Sequence, residues 1–250
     1  PDVILIPNNY NAGFPAANNQ AFRIAKGKYI FMLNPDTEFN DDSLFRLQQF
    51  MEQNNDVDIC APQLIKADGS QQSCVWRFPN LWTVFCEMNY LNLFLGKKNY
   101  ADKDFSRPFE AESFSGAAIF FKRDVLDNIG FLDESMFWIE DVEFCYRAKA
   151  KGLKLVFFPE ARIIHHVGQS AKKNYVVSLS NQVFNKIKFF RKHHSYFETL
   201  LVILMSYIHS VMKLIVFVFL SPFNVVYARK AIAYFYIVPR VFNPPKTMRA

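Results

Sequence analysis

Cysteine is scarce and placed for no framework: Cys60, Cys74, Cys86 and Cys145 are scattered, with no Cys-x-x-Cys pair among them. That spacing excludes a zinc knuckle and a disulfide-stapled scaffold, and it fits a reducing cytosol. No secretory leader and no initiating Met open the chain, and Pro1 stands at the approach to a strand, so an N-terminally truncated domain is expected. Acidic residues almost vanish from the last third. From Ala171 onward 12 Lys or Arg face the single acid Glu198, whereas residues 1–170 hold 17 basic and 22 acidic residues. An acidic front and a basic tail suit two different tasks.

Apolar and aromatic residues are abundant. The 250 residues are 51% hydrophobic and include 28 Phe and 11 Tyr, enough for an α/β core in one domain plus an appendage. The aromatics gather in residues 76–94 and in the C-terminal third, which points to an apolar partner. Basic residues of the tail flank long apolar runs and do not interleave with polar ones. An anionic membrane surface is therefore the expected partner, and nucleic acid is not.

Tyr29-Ile30-Phe31-Met32-Leu33 is a continuous apolar run that stops on Asn34-Pro35-Asp36-Thr37-Glu38. Such a run suits a strand covered on both faces, and in open α/β sheets ligands bind beyond the carboxyl ends of strands. Before it, Val3–Ile6 reads as a short strand and Asn8–Gly13 as a loop. A helix starting near Pro15 with a small apolar face ends by Gly27. Within it Asn18 and Asn19 face either a ligand or solvent. Asp41 or Asp42 caps a second helix whose stripe is Leu44, Phe45, Leu47, Phe50 and Met51. Asp58–Ile65, the Asp68-Gly69 turn and Gln71–Trp76 read as a hairpin. An aromatic helix follows over 82–94, then an irregular segment, 97–109, suited to a loop.

Ser113–Phe121 reads as another buried strand in which Gly116 lets a second group approach the backbone. Asp124–Ile129 is a short helix closed by Gly130. The segment from Met136 to Arg147 reads as a helix with Glu140 and Asp141 in its first turn, where the helix dipole favours negative charge. Strands Leu153–Phe158 and Ala161–Ile164 then lead to His165-His166. Three polar groups, Asp36, Glu140/Asp141 and His165/His166, thus arrive at ends of buried elements. A carboxylate and an imidazole at strand ends can hold a divalent cation with positions left open, and an acid beside them can serve as general base. Taken singly, Asp36 and Glu38 also suit a turn, Glu140-Asp141 a helix cap, and His165 a strand-end histidine.

The motifs Asn11-Ala12-Gly13-Phe14, Ala17-Asn18-Asn19, Leu33-Asn34-Pro35-Asp36-Thr37, Ser115-Gly116-Ala117, Gly130-Phe131-Leu132-Asp133-Glu134, Trp138-Ile139-Glu140-Asp141 and His165 to Gly168-Gln169-Ser170 occur in an order that resembles glycosyltransferase family 2, in its rhamnosyltransferase-like branch. The likeness covers about residues 3–170. It implies a GT-A type, Rossmann-like α/β fold with a mixed, mainly parallel sheet flanked by helices. Residues 1–170 would form the catalytic domain, lacking its first nucleotide-binding βα unit. Residues 171–250 would form a basic, aromatic, membrane-associated helical extension.

The resemblance further implies an inverting, metal-dependent glycosyltransferase moving a sugar, expected to be L-rhamnose from dTDP-rhamnose, to a lipid-linked or polysaccharide acceptor. Asp36 and His165 match the metal ligands for Mg2+ or Mn2+, and Asp141 matches the base. Glu140, Trp138 and Gly116 match the acceptor side, and Asn11, Gly13, Asn18, Asn34 and Asp36 the donor side. Arg147 either touches phosphate or pairs with Glu143. A non-catalytic scaffold that keeps the fold is the alternative, and the truncated chain alone is expected to hold only part of a donor site.

Thr199–Leu220 is long enough to span a bilayer, yet Thr199, Ser206, His209, Ser210 and Lys213 form a thin polar stripe, which suits a helix lying in or shallowly embedded in the surface. Pro222–Val238 has an interfacial makeup. Attachment at the cytoplasmic face of a bacterial inner membrane is expected. Packing of these helices on the catalytic domain or in a homodimer stays open.

Overall fold

The computed structural model describes residues 3–39, 41–89, 100, 102–166 and 175–245. In chain order its elements are α1 (Phe14–Ile24), β1 (Tyr29–Leu33), β2 (Thr37–Glu38), α2 (Ser43–Gln53), β3 (Ile59–Ile65), β4 (Val75–Trp76), α3 (Leu81–Met88) and β5 (Phe109–Glu110). Then come β6 (Ser113–Phe114), β7 (Ala118–Lys122), α4 (Val125–Ile129), α5 (Glu140–Ala150), β8 (Leu155–His165), α6 (Tyr175–His193), α7 (Tyr196–Leu220) and α8 (Val225–Ile237). They form two compact units, one drawn from 1–78, 98–133 and 140–167, the other from 79–97, 134–139 and 168–250. Residues 79–97 and 134–139 are grouped with the C-terminal helices in the second unit.

The first unit is built on a sheet of order β1-β7-β3-β8-β2, with β5 on β8. β7 pairs antiparallel with both β1 and β3, and β3 pairs parallel with β8. β1, β3 and β8 therefore run the same way, as a mixed α/β sheet requires. The expected mainly parallel pairing is corrected: β7 is inserted in reverse, so β3–β8 is the parallel neighbour pair among the described strands. Phe114, Phe121, Phe144 and Phe157 are fully buried in the core against Met32, Ile59 and Ile163. Burying side chains of this size stabilises by roughly 1.5–3 kcal/mol each.

Several local expectations change. Val3–Ile6 forms no strand, and Leu5 is 81% exposed; an extended run needs a neighbouring ladder, and none of the described strands supplies one. The Asp68-Gly69 turn forms, with Gly69 at φ +79°, but its return keeps one bridge, Ile65↔Gln71. Val75–Trp76 instead pairs with Ser113–Phe114. The expected strand 113–121 breaks into β6 and β7 at a Ser115–Ala117 turn, whereas the two strands expected over 153–164 merge into β8. The β3–β8 register shifts between Pro62 and Gln63 to absorb the irregularity around Pro159. Of the apolar residues on α2 only Leu47 and Met51 are fully buried; Leu44 and Phe45 are exposed, so the apolar stripe is narrower than its composition suggests. The rest of the expected aromatic helix, 90–94, and residues 167–170 of the histidine motif lie outside the described residues.

In the second unit the 134–139 segment is held by α6, through Asn185 Nδ2 donating to the Phe137 carbonyl and Lys188 Nζ to the Ser135 carbonyl. Helix α7 starts with a capping box between Ser195 and Glu198. The stretch Tyr196–Phe223 contains an 18-residue window of mean hydropathy 2.1 and is long and apolar enough to cross a membrane. Much of its polar stripe is turned inward. Thr199, Ser206 and Ser210 are buried, while Ile208, Met212, Ile215 and Phe219 are exposed. Small polar side chains permit close helix packing, which turns the apolar face outward.

Candidate active site

Sheet geometry brings Asp36 and His165 together. Asp36 follows β1 in a turn that leads into β2, and β2 pairs antiparallel with the end of β8 so that Thr37 lies opposite His165. The His166 N–H donates to the Asp36 carbonyl over 2.9 Å, and the Thr37 hydroxyl donates to the Asn34 carbonyl over 2.7 Å. With the turn fixed in this way, Asp36 Oδ1 lies 3.3 Å from His165 Nε2. The next pair outward, Glu38 and His166, approaches to 3.1 Å.

A residue that motif reasoning missed stands behind His165. Gln72 places its side-chain amide nitrogen 3.0 Å, and its amide oxygen 3.3 Å, from His165 Nδ1. Its only sequence signal was its position on the return from the Asp68-Gly69 turn.

The fit to a divalent cation can be judged from the donors. An oxygen and a nitrogen that each bind a metal at about 2.1 Å in adjacent positions stand about 3 Å apart, close to the observed spacing. The second imidazole nitrogen is hydrogen-bonded, as ligating histidines require. The Asn34 Oδ1 atom, two residues from Asp36, is buried without a hydrogen-bond partner. Among the described residues no group of three or more His, Cys, Asp or Glu surrounds one point. The pair therefore suits an exchangeable hard cation whose remaining positions are filled by other oxygens, not a closed structural site.

Asp141 is positioned by the turn that precedes β7. The Asn34 N–H donates to the Ala117 carbonyl, extending the β1–β7 ladder into the Ser115–Ala117 turn. One residue earlier in that turn, the Gly116 N–H donates to Asp141 Oδ2 over 2.7 Å, and the Val142 N–H donates to Oδ1 over 2.8 Å. The strand break that the apolar run concealed is thus what exposes a backbone donor to the carboxylate. Burial raises the Asp141 pKa above the ordinary carboxylate value, and the two N–H donors pull it partly back. Glu140, its neighbour, is buried.

The close approach read at Gly116 is real. A Cβ there would stand 3.2 Å from Asp141 Cβ, 3.3 Å from its Oδ2 and 3.5 Å from a Phe14 ring carbon. Gly116→Ala is expected to displace the carboxylate and lower turnover by about tenfold with an unchanged fold. Steady-state kinetics beside a melting curve would check this, and full turnover would show that the turn yields.

The remaining candidates are distributed. Gly13, at φ +80°, caps α1, and Asn11 Oδ1 accepts its N–H over 3.0 Å, so this loop enters beside Phe14 and Gly116. Asn18 spends its amide nitrogen on the Phe14 carbonyl. Asn19 faces neither ligand nor solvent: it is buried and exchanges two hydrogen bonds with the Leu132 backbone. Trp138 belongs to the second unit, with φ +84° and its ring edge-on to Phe137. Such a φ is rare for a bulky side chain and marks strain held by its surroundings.

Comparison with known proteins adds an independent line. The family model described as Glycosyl transferase family 2 matches residues 1–130, a span that contains Asp36 and Gly116 and ends before Asp141 and His165. Over 202 residues the chain is 26% identical to the low-salt glycan biosynthesis hexosyltransferase Agl10 of Haloferax volcanii, covering 74% of this chain and 62% of that protein. Over 193 residues it is 24% identical to the O-antigen biosynthesis protein RfbC of Myxococcus xanthus, covering 70% of this chain and 14% of the other. The chain therefore spans less than two thirds of either relative. A crystal structure of GalNAc-T7 with UDP, GalNAc and Mn2+ superposes with a TM-score of 0.49 at 16% identity, covering 74% of this chain and 39% of that one.

Proposed function

The chain belongs to glycosyl transferase family 2, and from that premise we propose that the complete protein transfers a sugar from a nucleoside-diphosphate donor to a growing glycan. The observation that carries the reading is the convergence of two groups at one end of the β1–β7 ladder: the Asp36–His165 pair and the backbone-held Asp141. The relatives' names, a hexosyltransferase of glycan biosynthesis and an O-antigen biosynthesis protein, agree with a glycan acceptor.

In this reading Asp36 and His165 would hold Mg2+ or Mn2+, which would supply positive charge for the departing diphosphate. Asn11, Gly13, Asn18 and Asn34 line the donor side, and Gly116 and Glu140 support the acceptor side. Asp141 takes the proton from the acceptor hydroxyl as its oxygen attacks the anomeric carbon and the carbon–diphosphate bond breaks, inverting the configuration. The resemblance to the rhamnosyl branch favours dTDP-rhamnose as donor. The outward apolar face of α7 and the basic tail favour a lipid-linked acceptor at the cytoplasmic face of a bacterial membrane.

The test is donor turnover by the full-length protein in detergent or vesicles, with sugar nucleotides offered one at a time. Chelation is expected to abolish transfer and Mn2+ to restore it. Undiminished transfer in chelator would remove the metal role of Asp36 and His165.

A further inference from the structure

Gln72 is held by its backbone while its side chain keeps one degree of freedom. Its N–H donates to the Leu64 carbonyl over 2.8 Å, and its own carbonyl accepts from Gln63 Nε2 over 2.9 Å. Gln63 lies buried on β3, so this backbone is pinned to the sheet. The Gln72 amide then meets His165 Nδ1 side-on, nitrogen at 3.0 Å and oxygen at 3.3 Å. A half-turn of the amide about its terminal bond exchanges donor for acceptor without moving the chain.

That exchange matters because a neutral imidazole carries one proton on two nitrogens. With the amide N–H donating to Nδ1, the ring proton resides on Nε2 and faces the Asp36 carboxylate 3.3 Å away. In this arrangement both ring nitrogens face a partner without a cation. A cation at Nε2 needs the lone pair there, so the proton must move to Nδ1 and Nδ1 must then find an acceptor. The Gln72 oxygen is within reach to be that acceptor.

We infer that Gln72 is a positioning residue that serves both tautomers of His165, donating to Nδ1 when no cation is bound and accepting from Nδ1–H when one is. The inference rests on reading Asp36 and His165 as metal ligands. It explains why a glutamine suits the place: a carboxylate would favour the Nδ1–H tautomer in both states, and an aliphatic side chain would support neither.

The test uses the full chain and Mn2+ alone, read by electron paramagnetic resonance, together with nitrogen-15 spectra of His165 in the metal-free protein. Gln72→Leu is expected to weaken Mn2+ binding by about 10–100-fold while keeping a wild-type melting curve. Gln72→Glu, nearly the same shape, is expected to bind Mn2+ at least as tightly as wild type. It should also show Nδ1–H in the metal-free spectrum, where wild type shows Nε2–H. Wild-type affinity in Gln72→Leu, loss of affinity in Gln72→Glu, or Nδ1–H in metal-free wild type would each overturn the inference. Asp36→Ala and His165→Ala are the separate control: if both bind Mn2+ like wild type, the metal reading itself fails.

Discussion

Asp141→Asn in the complete protein is expected to lower sugar transfer by roughly 10²–10⁴-fold, the range supplied by a general base, with donor affinity unchanged. The amide is the same size as the carboxylate but offers one oxygen where Asp141 uses two. Either Gly116 N–H or Val142 N–H would then face an NH2 group, and no orientation would leave a basic atom for the acceptor. Because the acceptor loses its base while the donor side is untouched, the loss should appear in turnover. Transfer by Asp141→Asn within a few fold of wild type would remove Asp141 from the chemistry.

The same carboxylate sets a pH dependence. Burial holds the Asp141 pKa above its ordinary value near 4, so the ionised base accumulates only at higher pH than a surface aspartate would allow. The acid limb of kcat/KM is expected above the usual carboxylate range, with activity rising as pH increases through it. For stability the sign is opposite. The folded state prefers the protonated form, so its contribution is present below the unfolded pKa and is lost as pH rises through the raised folded value. Asp141→Asn removes that loss, and its melting temperature should change less with pH than that of wild type.

Arg147→Ala is expected to cost about 3–5 kcal/mol of folding stability, the largest single loss predicted in the first unit, because it strands a buried charge. Glu143 is fully buried, and the Arg147 Nε lies 3.0 and 2.9 Å from its two carboxylate oxygens. The rest of the guanidinium closes the turn after α4: Nη1 donates to the Ile129 carbonyl and Nη2 to the Phe131 carbonyl over 2.8 Å. Of the two roles open from spacing alone, the structure selects the ion pair with Glu143. Arg147→Lys keeps the charge but loses the planar fork, and should fall between wild type and alanine. Denaturant unfolding would measure this. An unchanged midpoint combined with weakened donor binding would return Arg147 to the phosphate role.

Sequence pattern reached further for single elements than for their partners. The apolar run Tyr29–Leu33, the helix after Pro15 and the acidic first turn of α5 were all legible, because local burial and capping leave their mark on neighbouring residues. The polar stripe of α7 was legible as a stripe, but its direction was not. Periodicity shows that one face differs from the other; whether Ser206 and Ser210 meet water or a neighbouring helix depends on what packs there.

By itself the sequence marked which residues end buried elements, and the order of its motifs resembles one family, whose model matches residues 1–130. Only the tertiary structure decided their company. The reversed β7, the break at Gly116 that meets Asp141, the Gln72 amide behind His165 and the Asn19 bonds to Leu132 all join residues far apart in the chain, up to 113 positions for the last. Such contacts are selected by strand order and by the need to satisfy buried polar groups once the core has closed, and neither condition acts on neighbouring residues alone.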